Sequence, residues 1–229
     1  MGRGRRQMIA RGARGSAGRE LLRVAVPKGA LFDGSVATLA AAGYEIAALE
    51  DLGRQLSVVC GGIEYVVAKP WDVPVFVAHG AADCGIAGAD SIIEAALDLV
   101  EMVDLRFGAC RFVVAEPEDA DGTVDEQYRH LGVIRVATKY PRVTEAHFAQ
   151  RGVQVEIVKL YGNIELAPMT GLAERIVDIT ATGTTLRENR LRIVEEVLAS
   201  TARFVANPAA LRTRPQVAEM AARLAGAVR

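Results

Sequence analysis

Short apolar runs rich in Val, Ile and Ala recur along the chain, each closed by a glycine, proline or charged residue and followed by a stretch with helical spacing. Runs at 21–26, 83–87, 133–137, 153–159 and 176–179 read as strands, and segments 31–42, 92–97, 143–151 and one from about 163 read as helices. Residues 56–59 and 63–68 flank Gly61 and Gly62 and predict a hairpin. A short apolar helix follows it at 73–78, with Asp72 at the N-cap and Pro74 in the first turn. Further strands are expected at 100–105, 111–116, 191–197 and 202–206, and an amphipathic helix at 215–228. The acidic, glycine-containing 117–125 reads as a loop that opens a second half of the chain. Strand–helix alternation in both halves predicts two parallel-sheet α/β lobes. No repeat with a period of 20 to 50 residues is present, which excludes a solenoid.

The stretch with the most specific chemistry is IVDITATGTTL, residues 176–186. It is an apolar strand carrying one charge, Asp178, and it runs into a small, hydroxyl-rich loop from Thr180. Thr182, Gly183, Thr184 and Thr185 are small enough for backbone N–H groups to converge on an anion, with hydroxyls as further donors. The same residues also suit a threonine-capped strand-to-helix turn. Three other strand-to-helix junctions can hold a ligand: Lys28–Gly29 after Pro27, Lys69 before Pro70, and Gly88–Ala89–Asp90 before Ser91. Ligands of open α/β sheets bind beyond the carboxyl ends of the strands, so a two-lobed chain would gather these junctions in its cleft. Lys28, just before a helix start, is placed to meet an anion, although a lone Lys-Gly turn is more often plain loop, and Lys69 sits at a strand end facing a helix start. Glu165, near a helix start, reads as an N-terminal dipole partner or as a group facing the cleft.

Composition narrows the classes. The chain has 229 residues, 51% hydrophobic and 24% charged, which describes a folded protein with an ample core. No apolar run approaches the ~20 residues of a membrane-spanning helix. A formal net charge of −1 argues against a general nucleic-acid binder. Cys60, Cys84 and Cys110 have no metal-ligand spacing and read as reduced core thiols of a cytoplasmic protein. Residues 1–20, rich in Arg and Gly, read as a disordered basic tail without a signal-peptide core. The three histidines, His79, His130 and His147, lie in or beside predicted helices and suggest no nucleophilic triad.

The motifs VPKGALFD, DCGIAGADSI, FGACRFVVA, ATKYPRVTEAHF and YGNIELAPMTGLAERIVDITATGTTLRENRL stand in this order over about residues 21–211. Together they resemble the catalytic chain of the ATP phosphoribosyltransferase family, which opens histidine biosynthesis. The resemblance implies an α/β fold of two lobes with a periplasmic-binding-protein type II-like architecture and a cleft between them. Lobe I would be formed by 21–109 plus 190–229, and lobe II by 110–189. It implies a reaction in which N1 of the adenine of ATP displaces pyrophosphate from C1 of phosphoribosyl pyrophosphate, with Mg²⁺ on the pyrophosphate. Carried onto matching positions, Thr182 to Thr185 would hold the 5-phosphate, with Thr180, Ala181 and Leu186 framing the loop, and Asp178 would bind the ribose hydroxyls. Lys28 with Gly29 and Lys69 would line the first lobe's side of the cleft. Gly88, Ala89, Asp90 and Glu165 would be further cleft residues. No residue acts as a nucleophile in this scheme. The resemblance is to the short form of the family, which implies a homo-oligomer, expected to be a dimer, working with a histidyl-tRNA-synthetase-like regulatory subunit.

Two other readings bear on the same residues. A solute-binding module would close similar lobes on a small anion without catalysis, and the absence of an export signal weighs against it. A type I phosphoribosyltransferase would carry two adjacent acids before its TG loop, whereas Asp178 is followed by Ile179.

Overall fold

A computed structural model describes residues 21–228; the expected basic tail at 1–20 lies outside the described residues. The chain opens with β1 (Leu22–Pro27), a 3-10 turn at Gly29–Leu31, α1 (Phe32–Ala41) and α2 (Ala47–Glu50). The expected hairpin follows as β2 (Ser57–Cys60) and β3 (Ile63–Ala68), then α3 (Val73–Ala78), β4 (Cys84–Gly88), α4 (Ala89–Ala95) and β5 (Val100–Asp104). Next come β6 (Cys110–Pro117), α5 (Thr123–Leu131), β7 (Ile134–Thr138), α6 (Pro141–Gln150) and β8 (Val155–Lys159). The remaining elements are α7 (Leu166–Met169), β9 (Arg175–Thr180), α8 (Thr184–Glu188), β10 (Leu191–Ser200), β11 (Ala202–Ala206), α9 (Pro208–Thr213) and α10 (Pro215–Ala227). None of the described helices is long and apolar enough to cross a membrane.

Two sheets divide these strands, in the orders β2-β3-β1-β4-β11-β5 and β10-β6-β9-β7-β8. Both are mixed rather than wholly parallel, which corrects the expectation of parallel sheets. Parallel pairing joins β3, β1 and β4 in the first sheet and β9, β7 and β8 in the second. Antiparallel strands flank these cores because the chain crosses between sheets: β11 returns to lie between β4 and β5, and β6 and β10 run in opposite directions. The expected partition placed 190–229 in lobe I. β10 instead pairs with β6 in the second sheet, from Leu191 opposite Pro117 to Ser200 opposite Cys110, and the chain rejoins the first sheet only at β11.

Helices cover both faces of each sheet, which is why the central strands read as nearly continuous apolar runs. In the first sheet Val24, Val26, Ile86 and Phe204 pack on one side with Leu39, Val217 and Leu224 of α1 and α10. Ala25, Ala87 and Val205 face the other side with Val73 and Val77 of α3. In the second sheet Phe112, Val114, Val136 and Val177 form one core with Val143 and Phe148 of α6, while Val113, Ala115, Ala137 and Ile176 form the other. The result is the two-lobed α/β architecture of periplasmic-binding-protein type expected from the sequence.

The segment 117–125, read as a loop, contains the first turn of α5. Gly122 adopts φ 83° at the N-cap, and Asp125 and Glu126 lie in the first turn, where acids favour the helix dipole. The same glycine and acids that suggested a loop are a helix start. Asp72 does stand at the N-cap position of α3, but its side chain makes no capping bond.

At the end of the second sheet away from the chain crossing, Glu116 is 3% exposed. It accepts from Arg175 Nε at 2.8 Å and from Arg192 NH2 at 2.8 Å, so one buried carboxylate ties β9, β6 and β10. Removing it leaves the mostly buried Arg175 guanidinium paired, among the described residues, only with the exposed Asp125 carboxylate. Glu116→Ala is expected to lower unfolding free energy by about 3 kcal/mol, read from the urea midpoint at constant slope.

Candidate active site

The carboxyl ends of the strands of both sheets meet around a cavity of about 330 Å³. Ala30 and Leu31 come from the turn after β1, Pro70 and Trp71 from the turn after β3, and Gly88, Asp90 and Ser91 from the end of β4 and start of α4. The second lobe contributes Lys139 and Tyr140 after β7 and Ile179 and Ala181 at the end of β9. Gly108, Ala109 and Cys110, on the crossing between lobes, form the remaining wall. A larger depression of about 550 Å³ beside Tyr44 and Arg223 is lined by none of these residues.

The cavity is mostly apolar, and aromatic contact closes it between lobes. Trp71 of the first lobe packs against the second lobe's core, its ring 4.8 Å from that of Tyr140. Tyr140 in turn meets Phe112 edge to face at 4.6 Å, and the Lys139 ammonium sits 4.5 Å over the Trp71 ring. Buried Thr138 fixes this corner: its hydroxyl donates to the Val177 carbonyl at 2.7 Å and accepts from the Tyr140 N–H at 2.9 Å.

Beside the cavity, β9 leads through Ala181 and Thr182 into α8. Gly183 holds the left-handed conformation at φ 74°, and a side chain there would strain the backbone, so glycine is required for the turn. Its N–H donates to Thr180 Oγ1 at 2.7 Å, and the hydroxyls of Thr182 and Thr184 are 2.9 Å apart. Arg187 reaches back to Thr182 O at 3.1 Å and Thr184 Oγ1 at 3.2 Å. The expected loop is thus a tight cup of hydroxyls and amides with an arginine behind it. Thr182, Thr184 and Thr185 are exposed, while Gly183 and Leu186 are buried beneath them.

Asp178 lies on β9 two residues before this loop and accepts the Ile179 N–H at 2.8 Å. Its pKa is raised to about 6, chiefly by burial: the Ile179 bond and the Lys139 charge pull it down, and the Glu165 carboxylate adds to the rise. Glu165 stands at the N-cap position of α7 without making a capping bond. Of the two roles read from the sequence, its electrostatic contact with Asp178 favours facing the site. Asp178, Glu165 and Lys139 therefore form one charged cluster at the mouth of the apolar cavity.

Across the cleft, Lys28 and Lys69 follow paired strands: Pro27 lies opposite Ala68, and the Lys28 N–H donates to Ala68 O at 2.8 Å. Both lysines are exposed, and neither makes an ion pair among the described residues, which suits contact with an anion. Gly29 is exposed beside Lys28 in the left-handed region. Gly88 and Ala89 are buried at the junction after β4. Asp90 borders the cavity, but its carboxylate accepts from Ser200 Oγ at 3.1 Å and Ser91 Oγ at 3.3 Å. It lies so close over Gly88 that a Cβ there would meet Asp90 Oδ1 at 2.0 Å.

Several contributors were not visible as site residues in the sequence. Trp71, Tyr140, Leu31 and Ile179 read as ordinary apolar positions, and only their places beside Lys69, Lys139 and Asp178 mark them. Cys110, read as a core thiol, is half-buried and faces the cavity. Cys60 and Cys84 are buried, and burial pushes the Cys84 thiol pKa well up. His147 is structural: it is buried in α6 and pairs with Glu195 on β10 at 2.9 Å.

Comparison with known proteins gives one family. A family model described as HisG: ATP phosphoribosyltransferase matches residues 69–226. An ATP phosphoribosyltransferase from Rubrobacter xylanophilus is 50% identical over 193 residues, covering 84% of this chain and 89% of that protein. One from Moorella thermoacetica is 48% identical over 191 residues, covering 82% and 84%. A solved structure described as an ATP phosphoribosyl transferase (HisG:HisZ) complex from Thermotoga maritima superposes with a TM-score of 0.75 at 32% identity, covering 91% of this chain and 98% of that one.

The charge on Asp178 has a measurable cost. Its folded pKa of about 6 exceeds the unfolded value near 3.8, so the penalty is absent in acid, grows as pH rises from about 4 to 6, and is full above that. Asp178→Asn is expected to raise the stability of the ligand-free protein at pH 7.5 by about 2 kcal/mol, with the gain vanishing near pH 4. Denaturant midpoints of both proteins across that range check it.

Proposed function

The chain belongs to the ATP phosphoribosyltransferase family, and from that premise we propose how its cleft condenses ATP with phosphoribosyl pyrophosphate to give N1-(5-phosphoribosyl)-ATP and pyrophosphate. The observation that carries the proposal is the cup at 180–186 standing beside an apolar cavity, with the half-buried Asp178 carboxylate next to both. The Thr182 to Thr185 loop receives the 5-phosphate through its amides and hydroxyls, and Thr180, Ala181 and Leu186 hold its shape. Asp178 accepts the ribose hydroxyls, which donate to a carboxylate already partly stripped of water. Hydrogen bonds to a charged, desolvated group are stronger than those in water.

The apolar cavity suits the flat adenine ring, since Trp71, Tyr140 and Leu31 offer faces and edges rather than charges. Lys28, Gly29 and Lys69 on the first lobe meet phosphate oxygens, and Lys139 adds charge from the second. Gly88, Ala89 and Asp90 shape the back of the cavity. Glu165 sits beside Asp178, where a cation or a hydroxyl donor relieves the repulsion between the two carboxylates.

Bond making and breaking at C1 passes through a transition state with oxocarbenium character. The chain has to align N1 behind C1 and neutralise the departing pyrophosphate, so positioning and electrostatics dominate and a covalent nucleophile is unnecessary. When bound, Mg²⁺ supplies charge neutralisation on the pyrophosphate. Among the described residues no three His, Cys, Asp or Glu side chains cluster to hold a metal. A hard cation carried mainly by phosphate oxygens, with Asp178 or Glu165 nearby, fits that donor set. The Thermotoga maritima structure is of a two-component complex, which supports our proposal that this chain works with a histidyl-tRNA-synthetase-like regulatory subunit; that it does so as a homodimer is a further part of the proposal.

Incubation with ATP, phosphoribosyl pyrophosphate, Mg²⁺ and pyrophosphatase is expected to give phosphoribosyl-ATP, followed by its ultraviolet absorbance. Absence of product even with the regulatory subunit present would overturn the reading. Asp178→Ala is expected to reduce kcat/KM for phosphoribosyl pyrophosphate by about 1.5 to 3 kcal/mol of transition-state stabilisation. Unchanged kinetics would remove Asp178 from the site.

A further inference from the structure

The lobes touch at a second place, behind the cavity, through α4. This helix starts at the end of β4 in the first lobe, and Asp90 and Glu94 stand four residues apart, on one face. Asp90 grips the crossing between lobes: its N–H donates to Ser200 Oγ at 3.0 Å and its carboxylate accepts from the same hydroxyl at 3.1 Å. Ser200 is the last residue of β10, paired with Cys110 at the start of β6. One turn later, Glu94 reaches into the second lobe. Its Oε1 accepts the Arg142 N–H at 3.2 Å and its Oε2 accepts the Val143 N–H at 3.1 Å. Those are first-turn amides of α6, whose N-cap residue Tyr140 offers no capping side chain. The first lobe therefore supplies the cap that the second lobe's helix lacks.

We infer that Glu94 is a positioning residue for the transfer reaction, fixing the angle between the lobes by capping α6 across the interface while Asp90 anchors the other end of α4 to the crossing. The inference rests on the two-substrate reading of the cleft. Lys139 and Tyr140 immediately precede α6 and line the cavity, so whatever holds the start of that helix against α4 also holds this wall against Trp71 and the first lobe. Glu94 does not line the cavity, and acts only through α6. A carboxylate suits the task because both its oxygens meet amides and its negative charge meets the positive end of the helix dipole. Without it the two half-sites keep their own ligand contacts but lose their mutual register.

The test uses the full chain with its regulatory subunit for kinetics, and the chain alone for geometry. Spin labels at exposed Asp51 in the first lobe and exposed Arg129 in the second report the distance between lobes. Glu94→Ala is expected to broaden that distance distribution in the ligand-free protein and to reduce kcat at least tenfold, with KM for each substrate within about threefold. Glu94→Gln, which keeps the bulk but only one of the two acceptors and none of the charge, is expected to recover part of both. An unaltered distribution with wild-type kcat in Glu94→Ala would overturn the inference. So would a fall in melting temperature with neither readout changed, or a loss in KM alone. If the wild-type protein makes no phosphoribosyl-ATP, the functional reading fails, and the label distances still decide whether Glu94 fixes the lobes.

Discussion

The pairing of β6 with β10 is the constraint on which the two-lobed arrangement depends. The chain passes between lobes at 105–109 and again at 201, and these segments bond side by side through Leu105 N–H to Ala202 O and Ala202 N–H to Phe107 O, each at 2.9 Å. Two paired crossings resist twisting in a way a single linker does not. β11 and β6 start at the crossing and run antiparallel to β4 and β9, so the parallel strands β1, β3 and β4 of the first sheet and β7, β8 and β9 of the second present their carboxyl ends toward it. The cleft chemistry follows from that direction: every junction with a small residue, a lysine or an acid opens into one space.

The parts legible in the sequence were those with local causes. Apolar runs on strands buried on both faces, a glycine hairpin and a threonine loop after an acid each carry their signal within a dozen residues. The antiparallel strands were found as strands, but their direction and partners depend on where the chain crosses, which no local pattern encodes. α5 was hidden because Gly122 and the acids after it serve a loop and a helix start equally well. The cavity walls were the least legible. Trp71 and Tyr140 meet from positions nearly seventy residues apart, on different lobes, and Cys110 looks like a core thiol until the crossing turns it toward the cavity.

Asp178 shows what the fold accepts to hold this chemistry ready. A carboxylate with a raised pKa beside a second carboxylate is unfavourable in the ligand-free protein, and the single Ile179 amide and the Lys139 charge compensate it only in part. Such a group gains most from donors that arrive with a substrate, because the cost of removing water is already met. The threonine cup is in the opposite state. Gly183 and Thr184 amides are occupied by threonine hydroxyls, and Arg187 is engaged with the same residues. An anion entering the cup would exchange neutral hydroxyl acceptors for charged oxygens, keeping the donors paired in both states.

These two local devices differ in what they ask of the rest of the molecule. The cup is made by seven consecutive residues and needs only Gly183 to turn correctly. The apolar cavity needs walls from both lobes, so its width depends on the angle between them. That angle is set by few contacts: the crossing, the Trp71–Tyr140 packing and the carboxylates of α4. A loosened angle would leave the cup and Asp178 intact while separating the base from the sugar carbon it must reach. Binding of the sugar phosphate and alignment of the two substrates are therefore carried by different parts of the structure, the first by a local turn and the second by the interface between lobes.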